Sequence, residues 1–182
     1  MDAGMRGGMR RATVADAAAI ARIHVETWRA TYAGMLPDTY LVNLHRGRQA
    51  AGWRRMLAGN RGPNVTLVME EAGTGVVGFA SAGPVRPHDM PAGGAVSGEI
   101  YTLYVDGDAQ GRGYGRALLQ GVMASLFGNG IGDVVVWVLA ANPSRFFYEA
   151  MGGAPLATRR ERFAGAEIDE VGYVWRAPPG EA

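Results

Sequence analysis

Two neighbouring stretches decide the fold: Glu99-Ile-Tyr-Thr-Leu-Tyr-Val105, and Gln110-Gly-Arg-Gly-Tyr-Gly115, in which glycine stands at every second position. The first stretch predicts a strand, because β-branched and aromatic side chains fit a pleated, half-buried surface. After the second stretch, apolar residues recur with the period of a helix. The sequence therefore predicts a strand over Glu99–Val105, a glycine turn over Gln110–Gly115, and a helix over Gly111–Phe127.

The glycine turn has a physical use beyond turning the chain. Backbone N–H groups at the start of a helix, together with the positive end of the helix dipole, form a cradle for phosphate. Glycines allow the backbone to approach such a ligand closely. Taken alone, the hexapeptide fits a plain connection equally well. It is not a Walker loop, because no Gly-Lys-Ser/Thr follows, and its glycine spacing disfavours a nucleotide-binding fold.

Downstream of the helix, the pattern predicts one more strand–helix unit and a hairpin. Val134–Leu139 is continuously apolar, as expected of a strand buried on both faces. Asn142 is predicted to cap the next helix, which has Pro143 at its first position and runs to about Met151. Two strands close the chain, at Ala154–Phe163 and Glu167–Trp175.

Upstream, the chain alternates between helical and strand patterns. A first helix is predicted after Thr13 and Asp16, which stand in a capping-box arrangement, and Ile20, His24, Trp28 and Tyr32 share one of its faces. The other predicted elements are a strand at Met9–Ala12, helices at Pro37–Leu44 and Arg48–Leu57, strands at Asn64–Glu70 and Val76–Ser81, and a long loop at Gly83–Gly98.

Composition limits the protein class. The 182 residues are 48% hydrophobic and 19% charged, which fits one globular domain over residues 1–182, with 1–8 expected to be flexible and 177–182 a tail. The net charge of +1 gives no reason to expect nucleic acid as a partner, and the absence of cysteine excludes thiolate chemistry. Three scattered histidines disfavour a metal site. With no apolar run of about 18 residues, we expect no membrane partner and a cytoplasmic location.

A further motif, Asn142-Pro-Ser-Arg-Phe-Phe-Tyr148-Glu-Ala-Met-Gly152, follows the glycine turn. In their order and spacing, the strand, the glycine turn and this motif resemble the GNAT superfamily of acetyl-CoA-dependent N-acyltransferases. The chain departs from the family at Gly107, where proline is common, and in an interval from Asn142 to Tyr148 that is one residue short. The resemblance implies an α/β (α+β) fold of the GNAT type: one mixed, mostly antiparallel twisted sheet of about seven strands, flanked by helices, with a splayed parallel strand pair at its centre.

The resemblance also implies a site for acetyl-CoA, with no metal. The backbone of Leu103, Tyr104 and Val105 is expected to bind the pantetheine arm in the gap between two parallel strands, and the Leu103 N–H to polarise the thioester carbonyl. Asn142 is expected to bond the pantetheine. The pyrophosphate is expected on the N–H groups of Gln110, Gly111, Arg112, Gly113, Tyr114 and Gly115.

Catalytic roles follow from the same resemblance. Glu99 stands where several family members carry the base that accepts the proton of the amine, and Tyr148 where much of the family carries the acid that protonates the leaving thiolate. Trp28 and Tyr32 lie on the helix that borders the acceptor site in the family, although an aromatic stripe also suits a plain core. His88 and Asp89, in the long loop, could contact the acceptor or play no part.

The expected function is N-acetylation of a primary amine, with a small molecule favoured as the acceptor. Two alternatives stay open. The acceptor could be a protein or peptide N-terminus or a lysine, or the chain could be a non-catalytic acyl-CoA-binding module, which would not need Tyr148 or Glu99. Homodimers are common in the family, so a homodimer is possible for this chain.

Overall fold

The computed structural model describes residues 8–59, 62–90 and 97–177. Residues 1–7 of the predicted flexible start, 178–182 of the predicted tail and 91–96 of the long loop lie outside these ranges. The single domain predicted over residues 1–182 stays a prediction.

Seven strands form one sheet within the described residues, in the order β1-β2-β3-β4-β5-β7-β6. Among these seven described strands, the central pair of β4 and β5 is the one that is parallel. The predicted α/β fold, with one mostly antiparallel sheet and one parallel pair, is therefore confirmed. The strands are β1 (Met9–Arg11), β2 (Val65–Glu71), β3 (Gly75–Pro84), β4 (Gly98–Val105), β5 (Val134–Leu139), β6 (Ala154–Phe163) and β7 (Ala166–Trp175).

Helices cover both faces of the sheet. On one face, Leu118, Val122 and Leu126 pack with Ile100 and Val134. On the other, Ile20, Ile23 and Trp53 pack with Val68 and Phe79. The helices are α1 (Ala17–Thr31), α2 (Asp38–Val42), α3 (Arg46–Ala58), α4 (Tyr114–Phe127) and α5 (Arg145–Ala150), and α4 lies on the first face whereas α1 and α3 lie on the second. None of the helices in the described ranges has the length and apolar character needed to cross a bilayer.

Two local boundaries differ from the prediction. α5 begins at Arg145 and not at Pro143, because Asn142–Arg145 form a turn in which the Asn142 carbonyl accepts the N–H of Arg145 at 3.1 Å. The side chain of Asn142 accepts the N–H of Ser144 at 2.9 Å, as a capping residue does. The long loop is shorter than predicted, because β3 continues through Pro84 by pairing with Gly98 of β4. A short 3₁₀ turn, Pro87–Asp89, occupies part of what remains.

The central strands separate after their first residues. β4 pairs with β5 only at Gly98 and Glu99, whereas it pairs with β3 as far as Val105. The β3–β4 register shifts where Ser81 faces Thr102 and Ala82 faces Ile100, which leaves Tyr101 as the extra residue of a bulge. The later part of β4 therefore has an open edge toward β5, as the resemblance implied.

Candidate active site

A cavity of about 530 Å³ occupies the gap between β4 and β5. We call it the gap cavity. Most of the predicted site residues line it: Leu103, Tyr104, Val105, Gln110, Gly111, Gly113, Tyr114, Gly115, Asn142 and Tyr148. The fold thus brings the glycine turn, the open edge of β4 and the α5 motif around one space.

At one end of the gap cavity, the glycine turn leads into α4. Gly111 and Gly113 have φ angles of +74° and +83°, and Gly113 is the N-cap of the helix. These left-handed conformations favour glycine, and no atom lies within 4 Å of where a Cβ of either residue would stand. The first N–H groups of α4 therefore border open space, with the positive end of the helix dipole behind them.

Arg116, which the sequence reasoning missed, also lines this end of the cavity. A cation in the first turn of a helix is repelled by the positive end of the helix dipole. The presence of Arg116 at this position therefore suits an anionic ligand. Arg112, by contrast, forms an ion pair with Glu71, and its side chain also donates to the Asp108 carbonyl at 3.0 Å. The position of Arg116 one helical turn after Gly113 was the signal that could have identified it.

Gln110 has a structural use for its side chain. Its Nε2 donates to the carbonyl oxygen of Val105 at 3.1 Å, which joins the turn to the end of β4. The backbone N–H of Gln110 donates to the carbonyl oxygen of Gly107 at 3.3 Å, so it too has a partner within the chain.

Tyr148 lines the gap cavity from α5. It is 8% exposed, and its ring packs against Tyr173 and Trp175 with centroid distances of 6.3 and 6.2 Å. Burial, and then the nearby Tyr32, raise the pKa of its hydroxyl well above the ordinary value, so the phenol is protonated at neutral pH. Within the described residues, that hydroxyl has no hydrogen-bond partner, which leaves it available to a ligand.

Trp28 and Tyr32 lie behind the wall of the gap cavity. Trp28 Nε1 donates to the hydroxyl of Tyr104 at 2.9 Å. The Tyr32 hydroxyl lies beside Tyr104 and Asn142, and burial raises its pKa. The residues of α1 that line the cavity are instead Thr27 and Thr31, which the sequence reasoning missed because it followed the aromatic stripe.

Glu99 is not brought into this cavity. It is 2% exposed, and its Oε2 accepts hydrogen bonds from the backbone N–H and the Nε of Arg86, both at 3.1 Å. The other carboxylate oxygen forms an ion pair with the same guanidinium. This arrangement gives Glu99 a structural use, and its role as a base stays a prediction.

His88 and Asp89 belong to an ion-pair network outside the gap cavity. Asp89 is 3% exposed and lies 2.6 Å from Arg159 of β6 and 2.9 Å from Arg86. His88 is exposed, with its Nε2 3.0 Å from the same carboxylate. The network ties the 3₁₀ turn to the β6–β7 hairpin. Among the described residues, no cluster of histidine and carboxylate side chains could hold a metal ion.

Comparisons with known sequences match the chain to acetyltransferases. The model of the Acetyltransferase (GNAT) family matches residues 20–153 of the chain. A Bacillus subtilis (strain 168) protein, "Uncharacterized N-acetyltransferase YuaI", is 35% identical over 168 residues, which are 92% of this chain and 91% of that protein.

Solved structures share the fold. The ribosomal-protein-alanine N-acetyltransferase from Brucella melitensis is 26% identical, with a TM-score of 0.67 and coverage of 92% of this chain and 98% of that one. The phosphinothricin acetyltransferase from Sinorhizobium meliloti, solved with acetyl-CoA, has a TM-score of 0.69 at 20% identity, covering 97% of this chain and 91% of that one. At this identity, the second likeness speaks for the fold alone.

Proposed function

Since the chain belongs to the acetyltransferase (GNAT) family, we propose that it transfers an acetyl group from acetyl-CoA to a primary amine of a small molecule. The observation that carries the proposal is the gap cavity, because the glycine turn and Tyr148 line the same space. A site that only bound acyl-CoA would need the glycine turn but not a protonated tyrosine beside the bound ligand.

The residues of the cavity fit acetyl-CoA in charge and in backbone geometry. The N–H groups at the start of α4, with Arg116 beside them, suit a pyrophosphate. The open edge of β4 at Leu103 and Val105 offers backbone groups to an amide-containing arm. Acetyl-CoA supplies the thioester that the amine attacks, in a reaction that forms a C–N bond and breaks the C–S bond.

Tyr148 is the proposed proton donor. Its hydroxyl holds a proton at neutral pH and lines the cavity, so it can protonate the sulfur of the departing thiolate. The proton that leaves the amine goes to solvent, directly or through a neighbouring group. Trp28 and Tyr32 are proposed to act on the acceptor side through Tyr104, which they position.

A peptide N-terminus is the second candidate acceptor. It is favoured by the likeness to the Brucella melitensis protein, whose name gives a ribosomal protein alanine as its target. Both candidates need an uncharged amine at the thioester, so the chemistry of the gap cavity does not separate them.

The test combines cofactor binding with turnover. We expect calorimetry to show binding of acetyl-CoA, and detection of free thiol to show turnover with at least one member of a panel of small amines. Peptides with free N-termini form a second arm, which is followed by intact mass. Binding of acetyl-CoA without thiol release in either arm would contradict an acetyltransferase and favour an acyl-CoA-binding module.

A further inference from the structure

Among the described residues that line the gap cavity, no side chain can accept a proton at neutral pH. The ionisable ones are Arg116 and the phenols of Tyr104, Tyr114 and Tyr148. Burial raises the pKa of Tyr104 and of Tyr148 well above the ordinary value, and the Tyr114 hydroxyl donates to Glu71 at 3.2 Å. The other lining side chains are hydroxyls, amides and apolar groups.

Carboxylates stand close to the lining residues but do not line the cavity themselves. Those on the elements packed around it are Glu26 of α1, Glu99 and Asp106 at the ends of β4, Asp108 before the glycine turn, Glu149 of α5 and Glu170 of β7. Glu26 and Asp106 both pair with Arg22, at 2.8 and 2.6 Å. Glu149 pairs with Arg145, Glu170 with Arg159 and Glu99 with Arg86, whereas Asp108 is exposed.

The imidazole of His24 does not serve this cavity either. Its ring packs against Trp28 and against Tyr104, with centroid distances of 5.3 and 5.6 Å, and it is Tyr104 that lines the cavity. Burial also lowers the pKa of His24 to about 4, which makes it too weak a base to take the proton of an ammonium group.

The same lining is a poor environment for a cation. An ammonium group carries a full charge and three N–H donors, and burying it without a charged partner is costly. Arg116 and the start of α4 add positive charge, which repels a cation. The hydroxyls of Thr27 and Thr31, on the α1 side, suit the N–H groups of an uncharged amine.

We propose that the acceptor is a weakly basic amine, of the kind that has a carbonyl group on the carbon bearing the nitrogen, and that it enters the gap cavity uncharged. This inference rests on the proposed function. At pH 7, such an amine, with a pKa of about 7.7–8.0, is neutral in about 10–20% of its molecules. A lysine-like amine, with a pKa of about 10.4, is neutral in only about 0.04%.

The reaction then needs no basic side chain in the cavity. The ammonium form loses a proton to water before it binds, and its nitrogen attacks the thioester carbon, so that the C–N bond forms and the C–S bond breaks. The departing thiolate takes the proton of the Tyr148 hydroxyl. The nitrogen releases one further proton, which restores the Tyr148 hydroxyl through solvent.

The experiment compares amino-acid amides with the amines left when the carboxamide is removed, such as phenylalaninamide with phenethylamine. We expect kcat/KM at pH 7 to be about tenfold or more higher for the amide, although the stronger base is the better nucleophile. Between pH 6.5 and 9.5, kcat/KM should level off near the pKa of each amine, so the midpoint should move with the substrate. A basic side chain of the enzyme would instead give both amines a limb at the same pH.

Peptides that carry both a free N-terminus and an internal lysine form the second arm. Fragmentation mass spectrometry should find the acetyl group on the N-terminus, and the relative kcat/KM of amides and peptides shows whether the acceptor is a small molecule or a peptide. Turnover that uses both members of a pair equally at pH 7, or a limb that does not move with the substrate, would overturn this inference and leave the proposed function standing. Absence of thiol release with every amine, strongly basic ones at pH 9.5 included, would overturn the proposed function itself.

Discussion

At the scale of single residues, the position of the Tyr148 hydroxyl carries the strongest chemical claim. The ring is held by Tyr173 and Trp175, so its hydroxyl can be deleted without disturbing the packing. Tyr148→Phe should lower kcat by about 10²–10⁴-fold, as is typical for the loss of a general acid, while acetyl-CoA binding and the melting temperature change little. Steady-state kinetics beside a thermal melt of the same variant provide the check.

Tyr173→Phe is the matched control for Tyr148→Phe. Tyr173 is 1% exposed, and its hydroxyl donates to Glu149 at 2.5 Å, away from the gap cavity. This variant should lose about 0.5–1.5 kcal/mol of stability and keep its kcat. If Tyr148→Phe behaves in the same way, with a lowered melting temperature and normal turnover, Tyr148 is a core residue and not the acid.

The Glu99→Gln variant, unlike Tyr148→Phe, is expected to lose stability. Its carboxylate is buried against Arg86, so Glu99→Gln removes a charged partner from a hydrogen-bonded pair. We expect a loss of about 2 kcal/mol in the free energy of unfolding, measured by urea denaturation. The pH–rate profile of the same variant tests the separate prediction that Glu99 is the base.

The same profile decides whether Glu99 is the base. If Glu99 is the base, directly or through water, the Glu99→Gln variant should lose the acidic limb of its pH–rate profile and most of its turnover, whatever happens to its stability. Retention of stability with loss of that limb would restore the role that the resemblance gives to Glu99. Rescue of turnover at high pH would point the same way.

At the scale of elements, the start of α4 is where the cofactor site can be tested by itself. Gly113→Glu places a side chain and a negative charge at the N-cap, where the cavity is open. We expect a loss of acetyl-CoA affinity of about 100-fold or more, measured by calorimetry, because like charges would meet at the phosphate cradle.

A control variant at a glycine that does not line the gap cavity distinguishes the effect of the added charge from the effect of backbone strain. Gly73, in the β2–β3 turn, has a φ of +79° and equally open surroundings, so Gly73→Glu introduces the same side chain at a similar backbone cost. That variant should bind acetyl-CoA normally. Equal affinity for the two folded variants would contradict the assignment of the glycine turn as the cradle.

The elements also show which features a sequence can predict. The glycine turn, α4 and the apolar β5 depend on local patterns, and the structure has all three. The start of α5 was placed too early because the turn after Asn142 is closed by bonds between residues three apart instead of four, a difference that a sequence pattern does not report. The contact between Glu99 and Arg86 joins residues 13 positions apart through the end of β3, and no local period reports such a pair.

At the scale of the whole molecule, the splayed sheet explains why the gap cavity is lined from both faces. β4 leaves β5 after Glu99, so the gap cavity passes through the sheet and meets the α1 face. Another cavity, of about 680 Å³, lies on that face between α1, α3 and the hydroxyl side chains of β2, β3 and β4. It could not be predicted, because its residues come from three strands and two helices whose packing is set only in the folded chain.

The burial of His24 should make the fold sensitive to acid. The folded-state pKa of His24 is about 4, below the ordinary value of 6.5, and the cause is burial. The unfolded chain therefore binds a proton that the folded chain refuses, so stability is complete above pH 6.5 and falls as the pH drops toward 4. The loss from this one group is about 2–3 kcal/mol.

Asp16 extends the loss to lower pH. Its carboxylate accepts hydrogen bonds from Arg10 and Thr13, and these hold its pKa at about 2. Because that value is below the ordinary 3.8, its stabilisation is present above pH 4 and is lost as the pH falls toward 2. As the pH falls, protonation linked to the His24 imidazole thus lowers stability first, from 6.5 toward about 4, and protonation of the Asp16 carboxylate lowers it next, from 3.8 toward about 2.

Urea unfolding at pH 7, 6, 5 and 4 isolates the contribution of His24, because the loss from Asp16 falls below this range. His24→Phe keeps an aromatic ring among Trp28, Trp53 and Phe79 but cannot titrate, so its unfolding free energy should fall less than that of the wild type between pH 6.5 and 4. The exposed His45 supplies the control, and His45→Gln should follow the wild-type curve. Parallel curves for wild type and His24→Phe would mean that the folded protein binds this proton, and that the imidazole is not held neutral by burial.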